Sequence, residues 1–135
     1  MNPWKKHYFT AELSHDIAYF YVADDSAAGK IVGYVISWMI GETMEIHKIA
    51  VKRDYWRRGI ASRMMDALLE TAARGNITGI FLEVRKSNTA ALRLYEKYKF
   101  KQIAERKDYF SNPREEALVY ALYLKGPANL PHRTK

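Results

Sequence analysis

Residues 49 to 65 read Ile49-Ala50-Val51-Lys52-Arg53-Asp54-Tyr55-Trp56-Arg57-Arg58-Gly59-Ile60-Ala61-Ser62-Arg63-Met64-Met65. An apolar run ends in a basic turn with one glycine, and apolar residues then recur at helical spacing, so the stretch predicts strand, turn and helix. A second strand, turn and helix follows at Leu82-Glu83-Val84-Arg85-Lys86-Ser87-Asn88-Thr89-Ala90-Ala91-Leu92-Arg93-Leu94-Tyr95. Strand–helix–strand succession implies a crossover connection and an α/β architecture. A helix start leaves backbone N–H groups unpaired and carries partial positive charge. Gly59 permits close approach of a ligand, Ala61 and Ser62 keep it open, and Arg57 and Arg58 add charge. The turn therefore suits a phosphate, although the same residues equally make a basic surface turn whose glycine starts a helix.

Working outward, residues 17–23, rich in aromatic and β-branched side chains, predict a strand. A turn at 24–30 returns the chain along 31–40, and a tight turn at 41–43 leads to a third strand over 44–51. Apolar residues at Ile60, Met64, Leu68 and Ala72 predict a helix to Arg74, stopped by Gly75-Asn76. A strand over 77–84 precedes a helix capped by Ser87 or Asn88 and running to about Tyr98. Two closing strands, 100–106 and 117–124, flank a loop over 108–116. The order β-β-β-α-β-α-β-β predicts a mixed α+β sheet with a helix on each side. One domain over 1–124 and a mobile tail over 125–135 are expected.

The chain has 135 residues, no cysteine, 22 basic and 15 acidic residues, and a net charge of +7. Disulfides, thiolate zinc sites and a cysteine nucleophile are excluded. His7, His15, His47 and His132 show no ligand spacing, so no metal is expected. No apolar run is long enough for a membrane span or a secretory signal, which makes a cytoplasmic protein the expectation. Residues 52 to 63 supply four of the seven excess positive charges. A cluster this local fits a small phosphate ligand better than a nucleic-acid footprint.

Together the two segments resemble the GNAT superfamily of acetyl-CoA-dependent N-acyltransferases. Its pyrophosphate turn, (Gln/Arg)-x-x-Gly-x-(Gly/Ala), is matched by Trp56 to Ala61, with Trp56 where Gln or Arg is usual. Leu82 to Tyr95 is similar to the RimI-type protein N-terminal acetyltransferases, and the likeness covers roughly residues 30 to 124. RimI-type chains have a strand and a helix ahead of the Pro-Trp found here at Pro3-Trp4. The resemblance therefore implies that these are missing and that the 17–23 strand is an uncovered edge. Where the family has Gly-Phe after its second helix this chain has Lys99-Phe100. A family-like helix stop would put Lys99 in the left-handed conformation.

The resemblance implies a splayed mixed sheet and acetyl-CoA as co-substrate. It implies cofactor contacts at Ile49, Ala50 and Val51 along the arm, at Arg57, Arg58, Gly59, Ile60, Ala61 and Ser62 around the pyrophosphate, and at Asn88 and Tyr95. Glu83 takes the role of base and Tyr95 that of proton donor to the departing sulfur. Tyr109 and Trp4 would line the acceptor site. On the residues alone, Glu83 is as well read as a carboxylate paired with Arg85 or Lys86, and Tyr95 as a packed helix aromatic. Tyr109 alone is a loop aromatic. Strand alternation places His47 with Ile49 and Val51, a structural position.

The function so implied is acetyl transfer to a protein N-terminal α-amine, with a ribosomal protein as one candidate acceptor. The alternatives are a lysine, polyamine or other small amine as acceptor, or a module binding CoA or nucleic acid without chemistry. No membrane partner is expected, and a homodimer through the Tyr19-Phe20-Tyr21 edge is.

Overall fold

The computed structural model describes residues 4–5, 12–13, 16–111 and 114–124. Within them the chain forms β1 (Trp4–Lys5), β2 (Glu12–Leu13), β3 (Asp16–Asp25), β4 (Lys30–Ile40) and β5 (Thr43–Val51). A 3₁₀ turn (Arg53–Tyr55) then leads to α1 (Ile60–Arg74), β6 (Gly79–Arg85), α2 (Thr89–Lys97), β7 (Lys101–Ser111) and β8 (Arg114–Tyr123). The sheet order is β1-β3-β4-β5-β6-β8-β7, with β2 also on β3. Only β5 and β6 pair in parallel, and this is the crossover expected around α1.

Both crossovers, β5-α1-β6 and β6-α2-β7, step across the sheet in the same direction. Right-handed connections then put both helices on one face. Direct bonds join them: the Tyr98 hydroxyl donates to the Ser62 carbonyl and to Asp66, and the Lys97 ammonium donates to the Ser62 hydroxyl. The expected helix on each side is thus corrected to two helices on one side. Met64, Met65 and Leu68 of α1 are fully buried there with Tyr21, Val35 and Met44. Burying each such side chain is worth roughly 1.5–3 kcal/mol. Gly33 has no room for a side chain, since a Cβ would stand 2.9 Å from the Ala50 carbonyl and 3.3 Å from Met64.

The expected loop over 108–116 is largely strand, with β7 reaching Ser111 and β8 starting at Arg114. Tyr109 therefore sits in a strand. The β3 edge is not bare either: β1 pairs with Val22 and Ala23, and β2 with Asp16 and Ile17. Among the described residues of β3, 18–21 and 24–25 lack a strand partner on that side. The expected tail over 125–135 and the side chain of Trp4 lie outside what the structure describes.

Each helix ends as its sequence demands. Beyond α1, Asn76 takes the left-handed conformation (φ 60), while its neighbour Gly75 does not (φ −90). Gly75 is small for another reason, because a Cβ there would lie 2.9 Å from the Met39 methyl. Beyond α2, Lys99 adopts φ 74. Its N–H bonds the Glu96 carbonyl and that of Phe100 bonds the Tyr95 carbonyl, at 2.9 and 3.0 Å, closing a complete Schellman turn. Phe100 then packs on Tyr95 with ring centroids 5.6 Å apart.

A left-handed lysine is strained by roughly 1–2 kcal/mol, offset in part because glycine loses more backbone freedom on folding. Lys99→Gly is therefore expected to stabilise the protein by up to about 1 kcal/mol, read as a higher denaturant midpoint at unchanged slope.

Candidate active site

The site is built where β5 and β6 part. They pair from Thr43 opposite Gly79 to Ile46 opposite Leu82 and no further, although β5 continues to Val51 and β6 to Arg85. The cause lies in β5. Opposite Ile36 stands Lys48 and opposite Ser37 stands Ile46, so His47 is an extra residue in a bulge. A bulge bends its strand and increases its twist, turning β5 away from β6. Residues 48–51 remain paired with β4 on one side, and among the described residues they have no strand partner on the other.

The bulge also overturns the alternation expected for His47. Ile49 and Val51 pack against the helix-side core, whereas His47 lines a cavity on the opposite face. That cavity, of about 490 Å³, is walled by Glu45 and His47 of β5, Phe81 and Glu83 of β6, Arg106, Tyr109 and Phe110 of β7, and Val119 of β8. Glu83 is the first residue beyond the last β5–β6 pair. Its Oε2 lies 3.3 Å from Arg106 Nε, and it accepts a hydrogen bond from the Tyr109 hydroxyl. That bond, with the carboxylate's charge, holds the Tyr109 phenol above its ordinary pKa. The pairing expected of Glu83 with Arg85 or Lys86 does not form, because Arg85 bonds Glu115 at 3.2 Å and Lys86 lies 3.2 Å from Glu116. His47 Nε2 is 3.5 Å from Glu45, and its ring meets Trp38 edge-on at 6.2 Å.

Tyr95 lies on the other face. Only 4% exposed, it belongs to the same buried cluster as Ile46 and Leu82, the last paired residues before the strands part. Burial alone pushes its phenol up to about 12. Asn88 caps α2, its side-chain carbonyl accepting from the Ala91 N–H at 3.1 Å, which leaves its NH₂ group for a ligand.

At the far end of β5 the chain turns into α1. Gly59 holds φ 78 and offers no side-chain cap, and the first helical bond runs from the Arg63 N–H to the Gly59 carbonyl. The N–H groups of Ile60, Ala61 and Ser62 precede that bond and have no acceptor within the helix. Arg57 is also left-handed, at φ 66. Arg58 lies over the Tyr55 ring, 4.6 Å from its centroid, and the Ser62 hydroxyl is occupied by Lys97. The fold thus brings together Glu83 and Tyr109, and separately the turn at 57–62. It sets Tyr95 across the sheet from Glu83. Arg106 and Glu45 escaped the sequence because nothing in an exposed strand marks them; in β7 every residue from 101 to 109 is exposed. Among the described residues no cluster of metal-ligating side chains occurs and no helix is long and apolar enough to cross a membrane.

Residues 2–100 match the model of the acetyltransferase (GNAT) family. A [ribosomal protein bS18]-alanine N-acetyltransferase of Escherichia coli strain K12 is 28% identical over 122 residues, covering 89% of this chain and 80% of that one. Its counterpart in Haemophilus ducreyi is 34% identical over 97 residues, 70% of this chain and 67% of the relative. The crystal structure of the Escherichia coli ribosomal-protein-S18-alanine N-acetyltransferase superposes with a TM-score of 0.69 at 26% identity, over 83% of this chain and 71% of that one.

The buried phenol makes stability depend on alkaline pH. Folded Tyr95 keeps its proton to about pH 12, while the unfolded residue loses it near the ordinary value of 10.0. Its contribution is therefore intact below pH 10 and is lost as pH rises towards 12, by about 2–3 kcal/mol at most. Tyr95→Phe is expected to flatten this part of the stability–pH curve, measured by denaturant melts of both proteins across that window.

Proposed function

This chain belongs to the GNAT family, an N-acetyltransferase by that membership, and we propose that it moves an acetyl group from acetyl-CoA to the α-amine of a protein N-terminus. The observation that carries the proposal is the gap between β5 and β6. It has an unpaired strand edge along one wall, an uncapped helix start at one end and a carboxylate at its mouth, with a phenol buried in the core on the helix side of the sheet. An acetyl-CoA molecule suits these features part by part. The N–H groups of 60–62 and the positive end of α1 would hold the pyrophosphate, with Arg57 and Arg58 adding charge. The open edge of Ile49-Ala50-Val51, where the Val51 carbonyl already accepts from the Trp56 indole, would offer its remaining backbone groups to the pantetheine amides as an added strand does, and the Asn88 NH₂ group would serve the same arm. Bound there, acetyl-CoA supplies an activated acyl group with a thiolate as leaving group.

The chain's own residues manage the protons. An α-amine arrives as an ammonium and must be neutral to attack. Glu83, open to the cavity, takes that proton directly or through a water molecule. Tyr95, whose phenol stays protonated at pH 7, faces the gap's other side as donor to the departing sulfur. An alkyl thiol has a pKa of about 8.5, so a phenol near 12 acts chiefly as a hydrogen-bond donor to the developing thiolate. Full proton transfer to sulfur would run uphill by roughly 5 kcal/mol.

The acceptor side is wide and acidic, with Glu45 and Glu83 on its walls and Tyr109 at its rim, and suits the cationic end of an extended chain. The relatives named as alanine N-acetyltransferases of a ribosomal protein support a protein terminus over a small amine. Transfer onto a panel of N-terminal peptides, free lysine and polyamines, followed by thiol release, is the direct assay. Turnover confined to the small amines would replace the peptide by that alternative.

Two sets of variants test the parts. Tyr95→Phe and Glu83→Gln are each expected to lower kcat by ~10²–10⁴-fold with CoA affinity nearly unchanged, and Glu83→Gln should flatten the acid limb of the pH–rate profile. Unchanged turnover in both would leave these residues without a catalytic role. At the phosphate turn, Gly59→Ala and Gly59→Glu both strain a left-handed residue, by about 1–2 kcal/mol, but only glutamate puts negative charge beside the helix start. CoA should raise the melting temperature of the wild type and of Gly59→Ala, and leave that of Gly59→Glu unmoved.

A further inference from the structure

Glu83 meets its cation through an irregular stretch of β7. Arg106 pairs with Ala117 and Phe110 with Glu115, so the three residues 107–109 stand opposite the single residue 116 of β8. Asp108 takes φ 55 inside this bulge. The distortion turns two neighbours onto one carboxylate: Arg106 Nε lies 3.3 Å from Glu83, and the Tyr109 hydroxyl bonds it. The guanidinium also covers the Tyr109 ring, 5.5 Å from its centroid. Of the residues lining the cavity, Arg106 is the one with a permanent positive charge.

The other groups facing Glu83 do not duplicate it. From β5 come Glu45 and His47, which lie 3.5 Å from each other. From β8 comes Val119, without charge, and Arg85 of β6 itself bonds Glu115. The Arg106–Glu83 contact is also easily exchanged. The arginine side chain is 58% exposed and meets the carboxylate through Nε, and a partly solvated pair of this kind is weak.

We propose that Arg106 is a positioning residue that occupies, between turnovers, the place of the acceptor's ammonium on Glu83, and that its return helps to expel the product. The inference rests on the proposed acceptor reading of the cavity. An arriving ammonium replaces the guanidinium at constant charge and makes the same charge-assisted bond to the carboxylate. During transfer one ammonium proton passes to Glu83, the N–C bond forms and the C–S bond breaks, and the departing sulfur gains the second proton that the nitrogen sheds as it becomes an amide. The amide product is neutral. Once Glu83 has released its proton to solvent, Arg106 is the permanently charged group at hand to return to it, and the neutral product loses its hold.

Arg106→Gln separates this from a structural role. With the resident competitor gone, the KM for an N-terminal peptide should fall several-fold while kcat falls too, because the product is no longer displaced, and inhibition by the acetylated peptide should strengthen in step. Arg106→Lys, which restores a cation, should return all three towards wild type. An active wild type whose Arg106→Gln variant keeps the same KM and the same product inhibition overturns this inference and leaves the acceptor reading standing. A wild type that acetylates no N-terminal peptide overturns both.

Discussion

A sheet cannot leave a strand edge unpaired in its middle without consequence, because backbone N–H and C=O groups demand partners. Here β5 and β6 separate after Ile46 and Leu82, and the bulge at His47 drives the separation. The rest of the site depends on that parting. Diverging from β6, β5 delivers the basic turn and the start of α1 to the far end of the gap. By ending its pairing at Leu82, β6 leaves Glu83 at the mouth. The open edge between them is complementary to an extended chain of amides. Strand addition satisfies the same groups that a neighbouring strand would otherwise have covered.

Charge is separated along the same line. The segment from Lys52 to Arg63 holds five basic residues and one acid, whereas the cavity beside Glu83 carries two carboxylates, Arg106 and His47. At physiological ionic strength fields decay over about 8 Å, so each end acts on what lies next to it. A polyanion and a cation are thus attracted to different ends of one gap. The two proton-handling groups are divided as well, one on each face of the sheet. Burial on the helix side keeps the Tyr95 phenol protonated, and the open side leaves Glu83 accessible to solvent and acceptor.

Periodic features of this fold were legible in the sequence, and irregular ones were not. The α1 repeat of Ile60, Met64, Leu68 and Ala72 is the buried face seen in the structure. The stop at Gly75-Asn76 follows from local chemistry, whereas the left-handed Lys99 was legible only through the family's glycine at that place. Errors fell where a strand gains residues. Strict alternation sends His47 to the wrong face because its bulge is visible only in the register with β4. The bulge over residues 107–109 of β7 turned an expected loop into strand and brought Arg106 to Glu83. Hydrophobic patterning carries no trace of either, since β7 is exposed almost throughout. The side of the sheet taken by α2 follows from connection handedness, which requires the strand order that single segments do not reveal. Glu83 and Tyr95 stood out only through the resemblance of 82–95 to a known signature.

Trp56 shows how the phosphate turn divides its labour. It stands where the family places a polar side chain, and an indole carries no charge to offer an anion. In the structure the indole Nε1 donates to the Val51 carbonyl at 2.8 Å, and Arg53 lies over the ring at 5.4 Å. The side chain therefore braces the end of β5. Tyr55 does likewise, donating to Asp25 at 2.7 Å, a bond that lowers the pKa of that carboxyl and ties the turn to the β3–β4 hairpin. Arg58 covers the Tyr55 ring, and Lys97 of α2 holds the Ser62 hydroxyl. Most polar side chains of the turn thus maintain its shape, while the backbone at 60–62 keeps its N–H groups unpaired. A turn built this way tolerates an indole at position 56 because a backbone cradle does not need that side chain to touch the anion.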